Sequence, residues 1–279
     1  MSNSFNTPTE VAEVAVNAGV AKANMGTVKT VLLALLAGAA IAFGAAASSV
    51  AIHDVGNVGL ARLIAGCVFP VGLMLIVIVG GELFTGNCLM VEALCDRKIR
   101  AMRWLRNLVL VYVGNFIGSV LIVALVIFSN QLNYTDSLLG AFTIKVALGK
   151  ISMPPLAAFS SGILCNMLVC GAVLMAFAAR DIPGKVLGIF FPIMAFILSG
   201  FEHCVANMYF IPAGIAAAAN PVYADKAMEV YGYTTETLAK LDVGGFFSNI
   251  VPVTLGNVVG GVALGLVLFA AFRSKALNK

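Results

Sequence analysis

The sequence predicts an all-helical membrane protein: six transmembrane helices in an inverted repeat, with spans 2 and 5 interrupted. Three observations lead there. Of the 279 residues, 61% are hydrophobic and only 11% charged, whereas a soluble domain carries about 25% charged residues. Uncharged runs extend over 30–53, 63–81, 107–135, 151–179, 186–201, 203–224 and 243–272, on the scale of the roughly 20 residues that cross a hydrocarbon core. Their apolar residues are continuous rather than alternating, which favours helices over a β-barrel. Finally, two glycine-led motifs recur in the same order in both halves of the chain.

The N-terminal segment comes first. Thr7-Pro8-Thr9-Glu10 reads as a capping box with proline at the first helical position. Val11, Val14, Ala15 and Ala18 then share one face. A short amphipathic helix within residues 1–27, lying on the cytoplasmic surface, is expected rather than a cleaved signal, because no basic leader precedes it. Crossings follow near 28–52, 60–94, 105–129, 156–180, 185–218 and 244–272, giving a first repeat over 28–129 and a second over 156–272 within a single transmembrane domain. The second and fifth are too long for one straight span.

Charge sets the orientation. With six crossings, one side holds twelve of the seventeen Lys and Arg residues; the other has only Arg62, Lys145, Lys150, Lys226 and Lys240. The positive-inside rule puts both termini in the cytoplasm, in a multi-pass protein of the cell membrane. The net charge of +4 is therefore topological and does not point to nucleic acid. The six cysteines include no CxxC pair and no zinc-ligand spacing, so they read as small buried hydrophobes, and neither metal nor cofactor is expected.

The long spans explain themselves. The second reads "VIVGGELFTGNCLM" and the fifth "FILSGFEHCVANMYFIP"; each has glycine, then a glutamate, then an asparagine, Glu82 to Asn87 and Glu202 to Asn207. The spans that follow carry "GNFIG" around Asn115 and "GNVVG" around Asn257. Their small residues suit close helix packing, and the two asparagines suit backbone ties to the interruptions. With three crossings per half, the copies enter the membrane from opposite sides, the arrangement in which broken helices meet near the midplane and build a pathway. Released backbone at that depth must be buried in protein or line a cavity.

Those motifs, with "GILCNMLVC", "IVPVTLGNVVGG" and the "AGVAKA" around Lys22, resemble the signatures of the formate/nitrite transporter family over nearly the whole chain. The resemblance implies a homopentamer of aquaporin-like protomers in the lipid bilayer, each with its own pore for small monovalent anions. Matched motif by motif, the central histidine is His203 and the threonine of the interrupting loop is Thr85. Phe69, Leu73, Leu83, Phe84, Val169 and Phe196 would form apolar constrictions, Asn166 would offer a polar contact, and Lys22 and Lys150 would attract anions at the two mouths. Formate is the expected substrate, with nitrite or hydrosulfide as the alternatives within the family.

The chemistry of "SGFEHCVANM" supports a pathway. Ionisable residues facing lipid are costly, so Glu202 and His203 must face protein or a pore. Neighbours on a helix point about 100° apart and cannot share one job. His203 is therefore assigned to the pore, and Glu202, like Glu82, to anchoring the broken helix or satisfying its loosened amides. A hydrogen bond or proton from His203, with Thr85 beside it, would offset the desolvation of an anion in an apolar slit. An intramembrane enzyme using Glu202, His203 and Cys204 is the rival of a different class; no cofactor fingerprint or metal-ligand spacing supports it. A water or glycerol channel would need an Asn-Pro-Ala motif in each half, and Asn220-Pro221 occurs once.

Overall fold

Residues 5–273 are described by a computed structural model. Helix α1 (Pro8–Asn24) is followed by α2 (Thr27–Ile52), α3 (Val58–Val68) and α4 (Val71–Val79), then by the short α5 (Phe84–Asn87) and α6 (Val91–Cys95), and by α7 (Ala101–Phe128). The second half runs through α8 (Leu138–Ile151), α9 (Pro155–Ala178), α10 (Ile182–Ser199) and α11 (Cys204–Ala218), then α12 (Pro221–Tyr231), α13 (Thr235–Leu238) and α14 (Val243–Phe272). Among the described residues, six stretches are long and apolar enough to cross a membrane: α2, α3–α4, α7, α9, α10 and α14. Among the described residues, the only extended pairing is an isolated bridge between Phe5 and Ala179.

Both long spans are broken. Span two stops at Gly80 (φ 106°) and restarts at Phe84; span five stops at Gly200 (φ 72°) and restarts at Cys204. A left-handed residue at a helix C-terminus turns the chain off the axis, and glycine adopts that φ without a Cβ clash. Pro70 adds a bend between α3 and α4, because it cannot donate to the carbonyl one turn back.

The small residues of the Gly-Asn motifs bring backbones together. A Cβ at Gly114 would lie 2.5 Å from the Ala34 Cβ, and at Gly118 it would strike the Leu35 carbonyl, so α7 lies directly on α2. Gly256 and Gly260 face the carbonyls of Phe159 and Ile163 in the same way, seating α14 on α9. In a bilayer, where lipid is as apolar as the helices, such close approach is what holds helices together.

Two elements differ from the expectation. Helix α1 has the Thr7–Glu10 capping box, Thr7 N donating to Glu10 Oε2 at 2.7 Å, but its buried stripe is Ala12, Ala15, Val16, Gly19 and Ala23. The helix docks on protein: a Cβ at Gly19 would lie 2.9 Å from that of Ala93 on α6. Of the expected face Val11, Val14, Ala15 and Ala18, only Ala15 is fully buried. The stripe that meets α6 is rotated toward the small residues, which let the two helices approach closely. The connection between the halves also folds, as α8, whose Gly140 is covered by the Tyr223 ring of α12.

Candidate functional site

Each break is stitched by an asparagine from the span that follows. Asn115 Oδ1 accepts from Phe84 N at 2.9 Å, and its Nδ2 donates to the carbonyls of Glu82 (2.9 Å) and Ala34 (2.8 Å). Asn257 Oδ1 accepts from Cys204 N at 2.8 Å, and its Nδ2 donates to the carbonyls of Glu202 (2.9 Å) and Gly162 (2.8 Å). Thus one amide satisfies the donor and the acceptor that the helix interruption leaves free, and adds a bond to a carbonyl inside the neighbouring helix.

The glutamates are held by a second, matching set of bonds. Lys22 Nζ lies 2.6 Å from Glu82 Oε1, while Asn87 Nδ2 donates to Glu82 Oε2 at 2.7 Å and to Asn107 Oδ1 at 2.8 Å. Lys150 Nζ lies 2.8 Å from Glu202 Oε1, and Asn207 Nδ2 donates to Glu202 Oε2 at 2.6 Å and to Asn249 Oδ1 at 2.7 Å. Asn107 and Asn249 return donors to the carbonyls of Lys22 (3.4 Å) and Lys150 (2.9 Å), closing both rings. The glutamates therefore bind an ammonium and side-chain amides, Glu202 also accepting from Asn249 Nδ2 at 3.3 Å; of the two expected roles this fits anchoring the broken helix, not satisfying its loosened amides. A carboxylate only 4% exposed needs a countercharge more than it needs a neutral donor. Lys22 and Lys150, expected to attract anions at the two mouths, line those mouths but are each paired with one of these carboxylates. Asn107 and Asn249 were not anticipated, although each stands at the same distance before its Gly-Asn pair in "RNLVLVYVGN" and "SNIVPVTLGN".

At the centre the halves stop matching. His203 is the N-cap of α11, its Nδ1 accepting from Ala206 N at 3.2 Å, and its Nε2 lies 2.8 Å from Thr85 Oγ1 in α5. Leu83 holds the N-cap of α5 and makes no side-chain cap bond. His203 borders a cavity of about 10 Å³ with Phe69, Leu73, Leu83, Val169, Phe196, Ile41 and Ile193. That is room for about one water. The Phe69 and Phe196 rings meet edge to face, 5.6 Å apart. Phe84, grouped above with the constriction, is turned away: its ring packs on Tyr112 of α7 at 4.8 Å, because residues adjacent to each other at the start of a helix diverge. Ile41 and Ile193 replace it, and neither stands in a motif. Asn166 is fully buried, its Nδ2 donating to the carbonyls of Thr85 (3.2 Å) and Asn257 (2.6 Å). It braces the Thr85 loop through the backbone.

Two vestibules flank this cavity. One, of about 710 Å³, is lined by Arg62, Lys145, Lys150, Asp54 and Glu202 and reaches Ala65 and Ile197, next to the Phe69–Phe196 pair. The other, of about 220 Å³, is lined by Lys22, Glu82 and α1, and shares Leu73 and Leu83 with the centre. A wet mouth, an apolar closure, a histidine–threonine pair and a second wet mouth thus follow in series.

The formate/nitrite transporter family model matches residues 9–271. The chain is 37% identical to a probable formate transporter of Methanothermobacter thermautotrophicus, covering 96% of this chain and 97% of that one. It is 34% identical to the formate channel FocA of Escherichia coli strain K12, over 95% and 94% of the two chains. A solved pentameric formate channel with formate bound superposes with a TM-score of 0.78 at 32% identity, covering 89% of this chain and 98% of that one. With matched broken helices around a histidine–threonine centre, and with the family model spanning nearly all of it, this chain belongs to the formate/nitrite transporter family.

Proposed function

We propose that this protein is a channel for small monovalent anions, formate first, in which solutes pass from one vestibule to the other across the His203–Thr85 centre. The observation that carries the reading is that hydrogen bond: one residue from each broken helix, 2.8 Å apart, beside a cavity closed by apolar side chains. A hydrated ion is too large for room of one water, so an anion must shed its shell there, at a cost that only hydrogen-bond donors at the centre offset.

The donors follow from the capping bond. Nδ1 of His203 accepts from Ala206 N, so the proton of the neutral ring sits on Nε2. Nε2–H donates to Thr85 Oγ1, which leaves the threonine hydroxyl proton free. An anion entering the pair receives both. A second proton on His203 would go to Nδ1, where it opposes the Ala206 N–H; charging the ring therefore opens the α11 cap. An anion beside the ring favours the charged form, so anion and proton enter together, and formate leaves as the anion or, after taking the proton, as formic acid. Glu82, Glu202, Asn87, Asn207, Asn115, Asn166 and Asn257 hold the frame.

The recurring bond set also leads us to infer that the repeat reaches back to α1 and α8, which supply Lys22 and Lys150, and that the halves are inverted. Assembly as a homopentamer and cytoplasmic termini complete the reading. Its test is initial uptake of formate, nitrite and hydrosulfide into proteoliposomes at about pH 5.5 and 7.5, for wild type and His203→Asn. The asparagine keeps a donor but carries no charge. A folded variant with altered anion preference and a flattened pH profile is expected. A variant with the wild-type rate and profile would make His203 a packing residue.

A further inference from the structure

The two mouths share their ion-paired lysine but not their other charges. In the narrow vestibule the lining charges are Lys22 and Glu82, bonded to each other. The wide vestibule has the equivalent Lys150–Glu202 pair and, in addition, Arg62, Lys145 and Asp54. Neither Arg62 nor Lys145 has a carboxylate within ion-pair distance among the described residues; the Lys145 ammonium sits 4.6 Å from the centroid of the Tyr231 ring. The register that carries Glu82 onto Glu202 carries Arg62 onto Ile182, and the one that carries Lys22 onto Lys150 carries Lys145 onto Asn17. These two cations therefore have no charged counterpart in the other half.

Their placement is directional. Arg62 reaches from α3 across to the break in span five, where a Cβ at Gly200 would lie 3.5 Å from the guanidinium. Gly200 ends α10 two residues before Glu202, so the guanidinium lies beside the break of span five, in the lining of the wide vestibule. Lys145 lies on α8, over a turn before Lys150, its ammonium over the Tyr231 ring. A cation over an aromatic face keeps its full charge and its exposed donors.

We propose that Arg62 and Lys145 form an anion-capture site in the wide vestibule, which gathers small carboxylates and other monovalent anions ahead of the apolar closure and has no equivalent at the narrow mouth. This rests on the channel reading. A concave, low-dielectric wall focuses a positive potential and raises the local anion concentration, an effect that salt screens. Lys22 and Lys150 contribute little to it, since each is neutralised by its glutamate. The site therefore acts on entry, lowering the anion concentration needed for half-maximal flux from the wide mouth only.

The test is formate flux in vesicles of known orientation, measured in each direction at low and high ionic strength, for wild type, Arg62→Gln, Lys145→Gln, the double variant and Arg62→Lys. For entry from the wide mouth, the double variant is expected to raise KM several-fold at low salt, with maximal rate unchanged and salt dependence largely lost. Arg62→Lys should keep the wild-type salt dependence, which separates charge from a helix-end packing role. Entry from the narrow mouth should keep its KM. The proposal is overturned if the double variant retains wild-type KM and salt dependence, or if both directions change alike. It is also overturned if Arg62→Lys behaves like Arg62→Gln. Absence of formate flux in the wild type would instead defeat the channel reading itself.

Discussion

The breaks at 80–83 and 200–203 are built alike and used differently. Both end on a left-handed glycine, both are tied by an asparagine from the span that follows, and both bury a glutamate against a lysine. At the helix restart, however, one has Leu83 and Thr85 where the other has His203 and Val205. The frame is symmetric because any interrupted helix at membrane depth has the same unpaired backbone to satisfy. The chemistry is asymmetric because a single narrow centre has room for only one histidine–threonine pair.

That contrast can be broken or sharpened by paired substitutions, one per half. The largest effect is expected for the ion pairs. Lys150→Met leaves Glu202 buried without its countercharge and should cost about 3–5 kcal/mol, the range for breaking a buried pair. Lys22→Met should cost less, because its side chain is 24% exposed against 15% for Lys150. Thermal unfolding in detergent reads the difference, and the double variant Lys150→Met/Glu202→Gln should recover part of the loss. Equal losses in the two halves would mean that the mouths are equally dry.

Next come the asparagine ties. Asn115→Ala and Asn257→Ala each strand one buried backbone N–H and one carbonyl of the break, at about 1–3 kcal/mol for an unsatisfied group. Losses of the same size in the two variants would support equal frames, whereas flux through Asn257→Ala should fall further, because Asn257 ties the segment on either side of His203. The smallest effect is set by the glycines. Left-handed backbone costs a non-glycine residue about 1–2 kcal/mol. A Cβ at Gly80 meets nothing within 4 Å, while at Gly200 it meets the Arg62 guanidinium. Gly80→Ala should therefore lower Tm by the strain alone, and Gly200→Ala should also weaken anion entry at the wide mouth.

Much of this frame was legible because it is written in residue types with one physical use at membrane depth. Gly80 and Gly200 announced the breaks, Glu82 and Glu202 announced buried partners, and the Gly-Asn motifs announced close packing. The identities of the partners were less legible. An asparagine eight positions before another, as Asn107 stands before Asn115, is an ordinary helical residue until a ring of bonds is seen. The inward faces of Ile41 and Ile193, and the outward face of Phe84, depend on helix rotation, to which a wholly apolar span gives no clue.

The sequence by itself determined that the chain spans a membrane, where its helices break, and that one histidine lies at the breaks, because each follows from the cost of charge or free backbone in hydrocarbon. Only the tertiary structure decided which groups meet. It spends Lys22 and Lys150 on glutamates, docks α1 on α6, and sets His203 Nε2 against Thr85. It also leaves Arg62 and Lys145, in the wider mouth, with no carboxylate within ion-pair distance among the described residues. The physical reason is range: burial acts on each residue alone and is visible in its type, whereas a hydrogen bond or an ion pair is settled within about 3–4 Å, by segments far apart in the chain.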